Sequence, residues 1–155
     1  MTKYLALAFL LIVGQSHANI VLEGRVISIA DGDTFTLLTT DKQQVKIRLA
    51  EIDAPESGQP YGNKSKQALS SLIFGKQVEV RVQTTDRYGR TVGRPYVGDL
   101  DVSEEMIRLG AAWVYREYVI DRSLFDVENE ARDAQRGLWP VRGSTGRTVE
   151  LAARP

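Results

Sequence analysis

An α+β fold, a small closed barrel of five strands capped by three helices, is predicted by three observations. Five short segments carry β-branched and aromatic residues at the two-residue period of a strand. One helical segment follows the third of these and two more follow the fifth. No repeat, low-complexity stretch or linker interrupts the 155 residues, which is about one domain in length.

The first strand is expected over Ile20 to Ala30, with Val21, Val26, Ile27 and Ile29. The second covers Asp33 to Leu38, and Asp41-Lys42 marks the hairpin turn after it. Val45-Lys46-Ile47-Arg48-Leu49 alternates strictly, so its apolar residues share one face and Lys46 and Arg48 the other. A loop with two prolines, Glu51 to Pro60, precedes a helix through Ala68, Leu69, Leu72 and Ile73, and Gly75 suits its end. Val78 to Val82 forms the fourth strand, Thr84 to Arg90 a polar loop, and Thr91 to Val97 the fifth strand. Pro95 suggests an edge or a bulge there. Asp101 with Glu104 opens a second helix that Gly110 ends, and Leu124, Val127, Ala131, Ala134 and Leu138 trace a third helical stripe. This order suits a five-stranded OB-fold β-barrel with three helices. Such barrels often bind oligonucleotides, but a fold assigns no function by itself.

Composition narrows the chemistry. Hydrophobic residues make up 43% and charged residues 26%, too polar for a membrane bundle and too apolar for a disordered chain. Twenty basic and twenty acidic residues leave no bulk positive field to hold a polyanion. Lys3, the apolar run Tyr4 to Val13, and Ser16-His17-Ala18 have the layout of a secretory signal. The run is about half the roughly 20 residues that span a bilayer, which favours cleavage after Ala18 over an uncleaved anchor. The expected division is a signal peptide at 1–18, a domain at 19–139 and a flexible tail at 140–155. Export would end in the periplasm or outside the cell, with no membrane attachment once the signal is removed.

Cleavage would remove His17, the one histidine, and the sequence has no cysteine. A Ser-His-Asp triad and a His- or Cys-ligated zinc are then excluded. A catalytic base must come from Asp, Glu, Lys or Tyr, and a metal must be a hard cation held by oxygen. Asp31, Asp33, Asp41, Glu51, Asp53 and Glu56 crowd one window with Arg48 among them. Antiparallel pairing would bring the start of the second strand beside the end of the third. Asp33 and Asp53 can therefore converge, and two carboxylates with a backbone carbonyl and waters would make an oxygen site for calcium. Taken singly, Asp31-Gly32-Asp33 is ordinary turn chemistry, and Arg90 in Asp86-Arg87-Tyr88-Gly89-Arg90 is a surface turn. Taken together they match the needs of phosphodiester hydrolysis: a cation, a positioned water, and donors for the developing charge. Arginine suits the last task because its planar fork grips phosphate oxygens in pairs.

Four motifs in order resemble the staphylococcal nuclease (thermonuclease) family. They are Ile29-Ala30-Asp31-Gly32-Asp33-Thr34, Arg48 to Glu56, Asp86 to Arg90, and Arg136-Gly137-Leu138-Trp139. Gly58-Gln59-Pro60-Tyr61-Gly62 is also similar to a loop of secreted bacterial members. The resemblance implies an OB-type barrel and calcium-dependent hydrolysis of DNA and RNA that leaves 3′-phosphate ends. By motif position it implies Asp33 and Asp53 as calcium carboxylates, Thr34 as a backbone ligand, and Asp31 behind them. Glu56 would be the general base, and Arg48 and Arg90 would hold the scissile phosphate. Arg87, Tyr88 and Tyr118 would contact the substrate. The sequence departs from the family pattern at Ala54, where a threonine is frequent, at Arg87, where a lysine is, and across Trp113 to Tyr118. Trp113 reads as part of a strand and turn that complete the core, and Trp139 as a core plug under the last helix. No protein partner is implied, and a monomer is expected.

Two other functions compete. A noncatalytic binding module of the same fold would not need the retained acids. A carboxylate-pair glycosidase would leave Arg48 and Arg90 unexplained, and Asp53 and Glu56 lie too close in the chain to flank a sugar bond.

Overall fold

The computed structural model describes residues 20–139. The segment expected to be a signal, 1–18, and the expected tail at 140–155 lie outside the described residues. The elements run β1 (Val21–Ile29), β2 (Thr34–Thr39), β3 (Gln44–Leu49), β4 (Ile52–Asp53), α1 (Gly62–Ile73), β5 (Gln77–Thr85), β6 (Thr91–Val97), β7 (Leu100–Asp101), α2 (Val102–Arg108), β8 (Trp113–Val114) and α3 (Leu124–Asp133).

Five strands form the barrel in the order β3-β2-β1-β5-β6, and parallel pairing of β3 with β6 closes it. Alternation in the sequence sets which residues fill it. Phe35, Leu37, Ile47, Leu49, Val78 and Val80 lie on the inner face with almost no exposure. Each such side chain contributes roughly 1.5–3 kcal/mol of burial. Leu69 and Ile73 of α1 and Met106 and Ile107 of α2 pack onto the same core. The expected fold class is present, with strand ends shifted by a residue or so.

Three details differ from the sequence reading, and the edge expected at Pro95 agrees with it. β5 runs on to Thr85, through residues that read as loop, because a bulge between Val82 and Thr84 keeps it paired with β6. The proline of β6 sits where that strand has one partner. Pro95 faces Val80 of β5, while pairing to β3 stops at Gly93 and pairing to β7 starts at Tyr96. The third helix ends at Asp133, and Gln135 turns left-handed at φ 55°. Leu138 is therefore buried by a fold-back and not by helical periodicity. Finally, Asp41 lies in the β2–β3 hairpin, at the far end of that hairpin from Asp33, so it does not join the acidic cluster.

The fold-back has a steric condition. Leu138 donates its amide to the Gly110 carbonyl at 2.8 Å. A Cβ at Gly137 would lie 2.2 Å from that same oxygen, so only glycine permits the contact. Trp113, Ala131, Leu138 and Trp139 then close a second small core, with Tyr61 beside it. Both tryptophans are buried, as plugs of that core.

Candidate active site

The barrel places two acids on one arginine. Thr34 pairs with Arg48 across β2 and β3, and the Leu49 amide donates to the Asp33 carbonyl at 2.8 Å. Asp33 thus starts β2 directly beside the end of β3. After β3 the chain turns sharply at Ala50-Glu51 and enters β4, which ends at Asp53. Nη2 of Arg48 lies 3.4 Å from Asp33 Oδ2 and 3.0 Å from Asp53 Oδ1. Gly32 permits this approach. A Cβ there would sit 2.6 Å from Cβ of Ser65 on α1 and 2.9 Å from Cβ of Ala54.

Asp33 is buried, and its carboxyl group is pushed up to about 7. Desolvation is the main cause. The Arg48 charge opposes it, Asp31 and Asp53 add to it, and a 2.8 Å hydrogen bond from the Thr34 hydroxyl works against it. Asp31 accepts the Asp33 amide at 3.1 Å, an Asx turn that fixes the loop between β1 and β2.

The Thr34 carbonyl, the expected backbone metal ligand, is turned into the loop between β1 and β2. It accepts the Ala30 amide at 2.9 Å and, more weakly, the Asp31 amide at 3.4 Å. What Thr34 gives the acidic pair is its hydroxyl. Glu56 is exposed on the loop before α1. Its amide donates to Gln59 Oε1 at 2.9 Å and its carbonyl accepts the Gln59 amide at 2.8 Å. The backbone is pinned, while the carboxylate has no hydrogen bond or ion pair among the described residues.

A cleft of about 930 Å³ opens beside Arg48. Arg48, Arg87, Tyr88, Arg90, Tyr115 and Tyr118 are among the residues that line it. Asp33 and Asp53 meet this cleft through Arg48, and Glu56 is not part of its lining. Asp86 shapes the β5–β6 turn. Its Oδ1 accepts the Tyr88 and Arg90 amides, both at 2.9 Å, and its Oδ2 accepts Arg90 Nε at 2.7 Å. Partial desolvation raises the Asp86 carboxyl, but these hydrogen bonds outweigh it and hold the group below its ordinary range. Arg90 is thereby aimed by its Nε and keeps its terminal nitrogens out of that contact.

Two groups lacked an assignment from sequence. Tyr115 faces Tyr118 edge-on at 4.8 Å and lies 5.4 Å from the Arg48 guanidinium carbon. Its place beside Arg48 had no local signal beyond an aromatic cluster. Glu51 is 3% exposed, and Arg94 joins it at 3.1 Å. Burial disfavours the Arg94 charge, but Asp101, Glu51 and Asp121 outweigh that and keep it firmly protonated. A polar residue that follows a strictly alternating strand was the one available signal for Glu51.

The description "staphylococcal nuclease homologue" belongs to a family model that matches residues 46–141. The chain belongs to the staphylococcal nuclease family. An uncharacterized endonuclease of Escherichia coli O157:H7 is 46% identical over 119 residues, covering 76% of this chain and 77% of that one. Another uncharacterized endonuclease, from Haemophilus influenzae, is 40% identical over 130 residues, covering 81% and 73%. A micrococcal nuclease of Shigella flexneri is 40% identical over 127 residues, covering 75% and 72%. The staphylococcal nuclease match includes Arg48, Asp53, Glu56 and Arg90, whereas Asp31 and Asp33 precede it.

Proposed function

We propose that this staphylococcal nuclease family member is an exported, calcium-dependent endonuclease that hydrolyses phosphodiester bonds of DNA and RNA. The observation that carries the reading is Arg48, joined to Asp33 and Asp53 at the edge of a cleft that also holds Arg87, Tyr88 and Arg90. Endonuclease chemistry is the part that family membership supports directly. The donor set suits a hard cation: Asp33 is buried with a carboxyl that one arginine compensates incompletely, and Asp53 beside it is half-exposed. Asp33 and Asp53 would hold calcium, with Asp31 fixing the loop behind them. Calcium bound there would supply positive charge against the phosphate oxygens.

The protein's own groups account for the remaining needs. Arg48 and Arg90 bind the scissile phosphate and stabilise the charge that grows on it. Glu56, with a pinned backbone and an unpaired carboxylate, takes the proton of the attacking water. The P–O bond to the 5′ oxygen breaks, that oxygen leaves with a proton, and the phosphate stays on the 3′ end. Arg87, Tyr88 and Tyr118 contact the sugar and base. The chain works as a monomer in the periplasm or the medium, where calcium is abundant.

The test is cleavage of single-stranded DNA and RNA by residues 19–155, in calcium and in excess chelator, with Glu56→Gln alongside. Cleavage in calcium alone, lost in Glu56→Gln at unchanged melting temperature, is the expected result. A folded protein that shifts DNA in a gel in calcium and never cleaves it would mark a binding module instead. Undiminished turnover in Glu56→Gln would remove the base assignment and leave the rest standing.

A further inference from the structure

We infer that Glu51 is a positioning residue, which holds the tyrosine wall of the cleft to the barrel by gripping both ends of one loop. Tyr115 to Asp121 leaves β8 and carries Tyr115 and Tyr118 along the cleft. At its start, the Tyr115 amide donates to the Glu51 carbonyl at 2.9 Å. At its end, the Ile120 and Asp121 amides donate to Glu51 Oε1 at 2.7 and 2.6 Å. A φ of 68° at Glu51 lets its carbonyl and its side chain serve the same loop.

The other carboxylate oxygen ties this grip to the barrel. Glu51 Oε2 accepts Gln83 Nε2 at 3.2 Å, from the bulge of β5, and Arg94 Nη1 at 3.1 Å, from β6. Arg94 Nη1 also reaches Asp121 Oδ2 at 3.1 Å, which doubles the hold on the loop's far end. Between the two ends, the Tyr118 amide closes a turn on the Tyr115 carbonyl at 3.0 Å. The loop therefore has few internal bonds; Arg116 ties it to Glu128 of α3 at 3.2 Å and Val119 rests on the core, while Glu51 is the group that binds both of its ends to the end of β3. Arg48 stands three residues before Glu51 and 5.4 Å from the Tyr115 ring. Displacement of the loop would move the tyrosine wall away from the phosphate-binding arginines, while Glu51, at the floor of the same cleft, spends its carboxylate on Gln83, Arg94, Ile120 and Asp121 and not on Arg48, Asp33 or Asp53.

The inference rests on the reading of the cleft as the substrate site. Its test compares Glu51→Ala and Glu51→Gln with Val80→Ala, a barrel-core cavity that softens the fold without touching the loop. Hydrogen exchange at the Ile120 and Asp121 amides, and KM and kcat on a single-stranded oligodeoxynucleotide in saturating calcium, are measured for each. Glu51→Ala should speed exchange at both amides and raise KM about tenfold with kcat within about threefold of wild type. Glu51→Gln keeps one acceptor oxygen and should fall between, and it carries the test if Glu51→Ala does not fold. Val80→Ala should leave KM unchanged. Equal KM changes in Val80→Ala and the Glu51 variants would overturn the inference, since general softening would explain both. Unchanged exchange or unchanged KM in Glu51→Gln and Glu51→Ala would overturn it as well. Wild-type protein that neither binds nor cleaves the oligonucleotide would overturn the nuclease reading, and this inference with it.

Discussion

Two acids eighteen residues apart in the chain, Asp33 and Glu51, are both buried and both face arginine, yet their surroundings differ. Glu51 accepts hydrogen bonds from four N–H groups, two of backbone and two of side chain. Asp33 has the Thr34 hydroxyl and one arginine that it shares with Asp53. The first is a satisfied charge and belongs to the architecture. The second is under-compensated, and burial displaces it upward to about 7, which suits the cation-ligand role proposed for it. Burial alone does not separate a working carboxylate from a structural one. The count of donors around it is what differs between these two.

The comparison is broken most directly at Arg48. Arg48→Met removes the shared partner of Asp33 and Asp53 and the proposed grip on phosphate. Turnover should drop by about a thousandfold, roughly 4 kcal/mol of transition-state stabilisation. A loss of less than tenfold, measured on single-stranded DNA in calcium, would mean that the under-compensated pair is not the working one.

Glu51→Leu tests the satisfied side. It leaves Arg94 buried with Asp101 and Asp121 alone and strips the partners of two backbone amides. Breaking a buried pair from one side should lower stability by about 3 kcal/mol in urea melts. A loss below about 0.5 kcal/mol would place Glu51 with the ordinary surface acids.

Asp33→Asn sharpens the contrast through pH. The folded carboxyl titrates near 7, against 3.8 for the ordinary group. Between those values the folded protein keeps a proton that the unfolded chain has released, so Asp33 lowers stability as pH rises through that window. Without calcium, Asp33→Asn should therefore be more stable than wild type at pH 8 by at least about 1 kcal/mol, and nearly equal to it at pH 4. Added calcium should raise the wild-type melting temperature more at pH 8 than at pH 6, and should leave that of Asp33→Asn nearly unmoved. Greater wild-type stability at pH 8 in chelator would reverse the assignment.

The sequence carried the barrel further than the site. β1, β2, β3 and β6 were legible because one face of each is buried and its residues alternate. The pairs β4–β8 and β6–β7 were not, because two-residue strands have no period. The end of β5 read as loop because Gln83, Thr84 and Thr85 line the cleft and are polar for that reason. Asp33, Arg48 and Asp53 could be brought together from hairpin geometry alone. The Glu51 network could not, since its loop partners lie 69 and 70 residues further along the chain. The partners of the Thr34 carbonyl, the Ala30 and Asp31 amides, were not legible either, because a motif position does not say which way a carbonyl turns.

The smallest effect is expected at Asp86, which resembles Glu51 in its donors and Asp33 in its place beside the cleft. It accepts two amides and the Arg90 Nε, so its charge is satisfied by the turn that it shapes. It is also nearer to solvent, and an exposed pair of this kind contributes about 1 kcal/mol or less to folding. Asp86→Ala should thus lower stability only slightly, while freeing Arg90 to leave the phosphate position. Turnover should fall about tenfold, and Asp86→Asn, which keeps one acceptor for the amides, should recover part of it. If stability drops as far as in Glu51→Leu while turnover holds, donor count predicts architecture even at the rim of the cleft. If turnover drops and stability holds, a satisfied acid can still serve catalysis by aiming its neighbour.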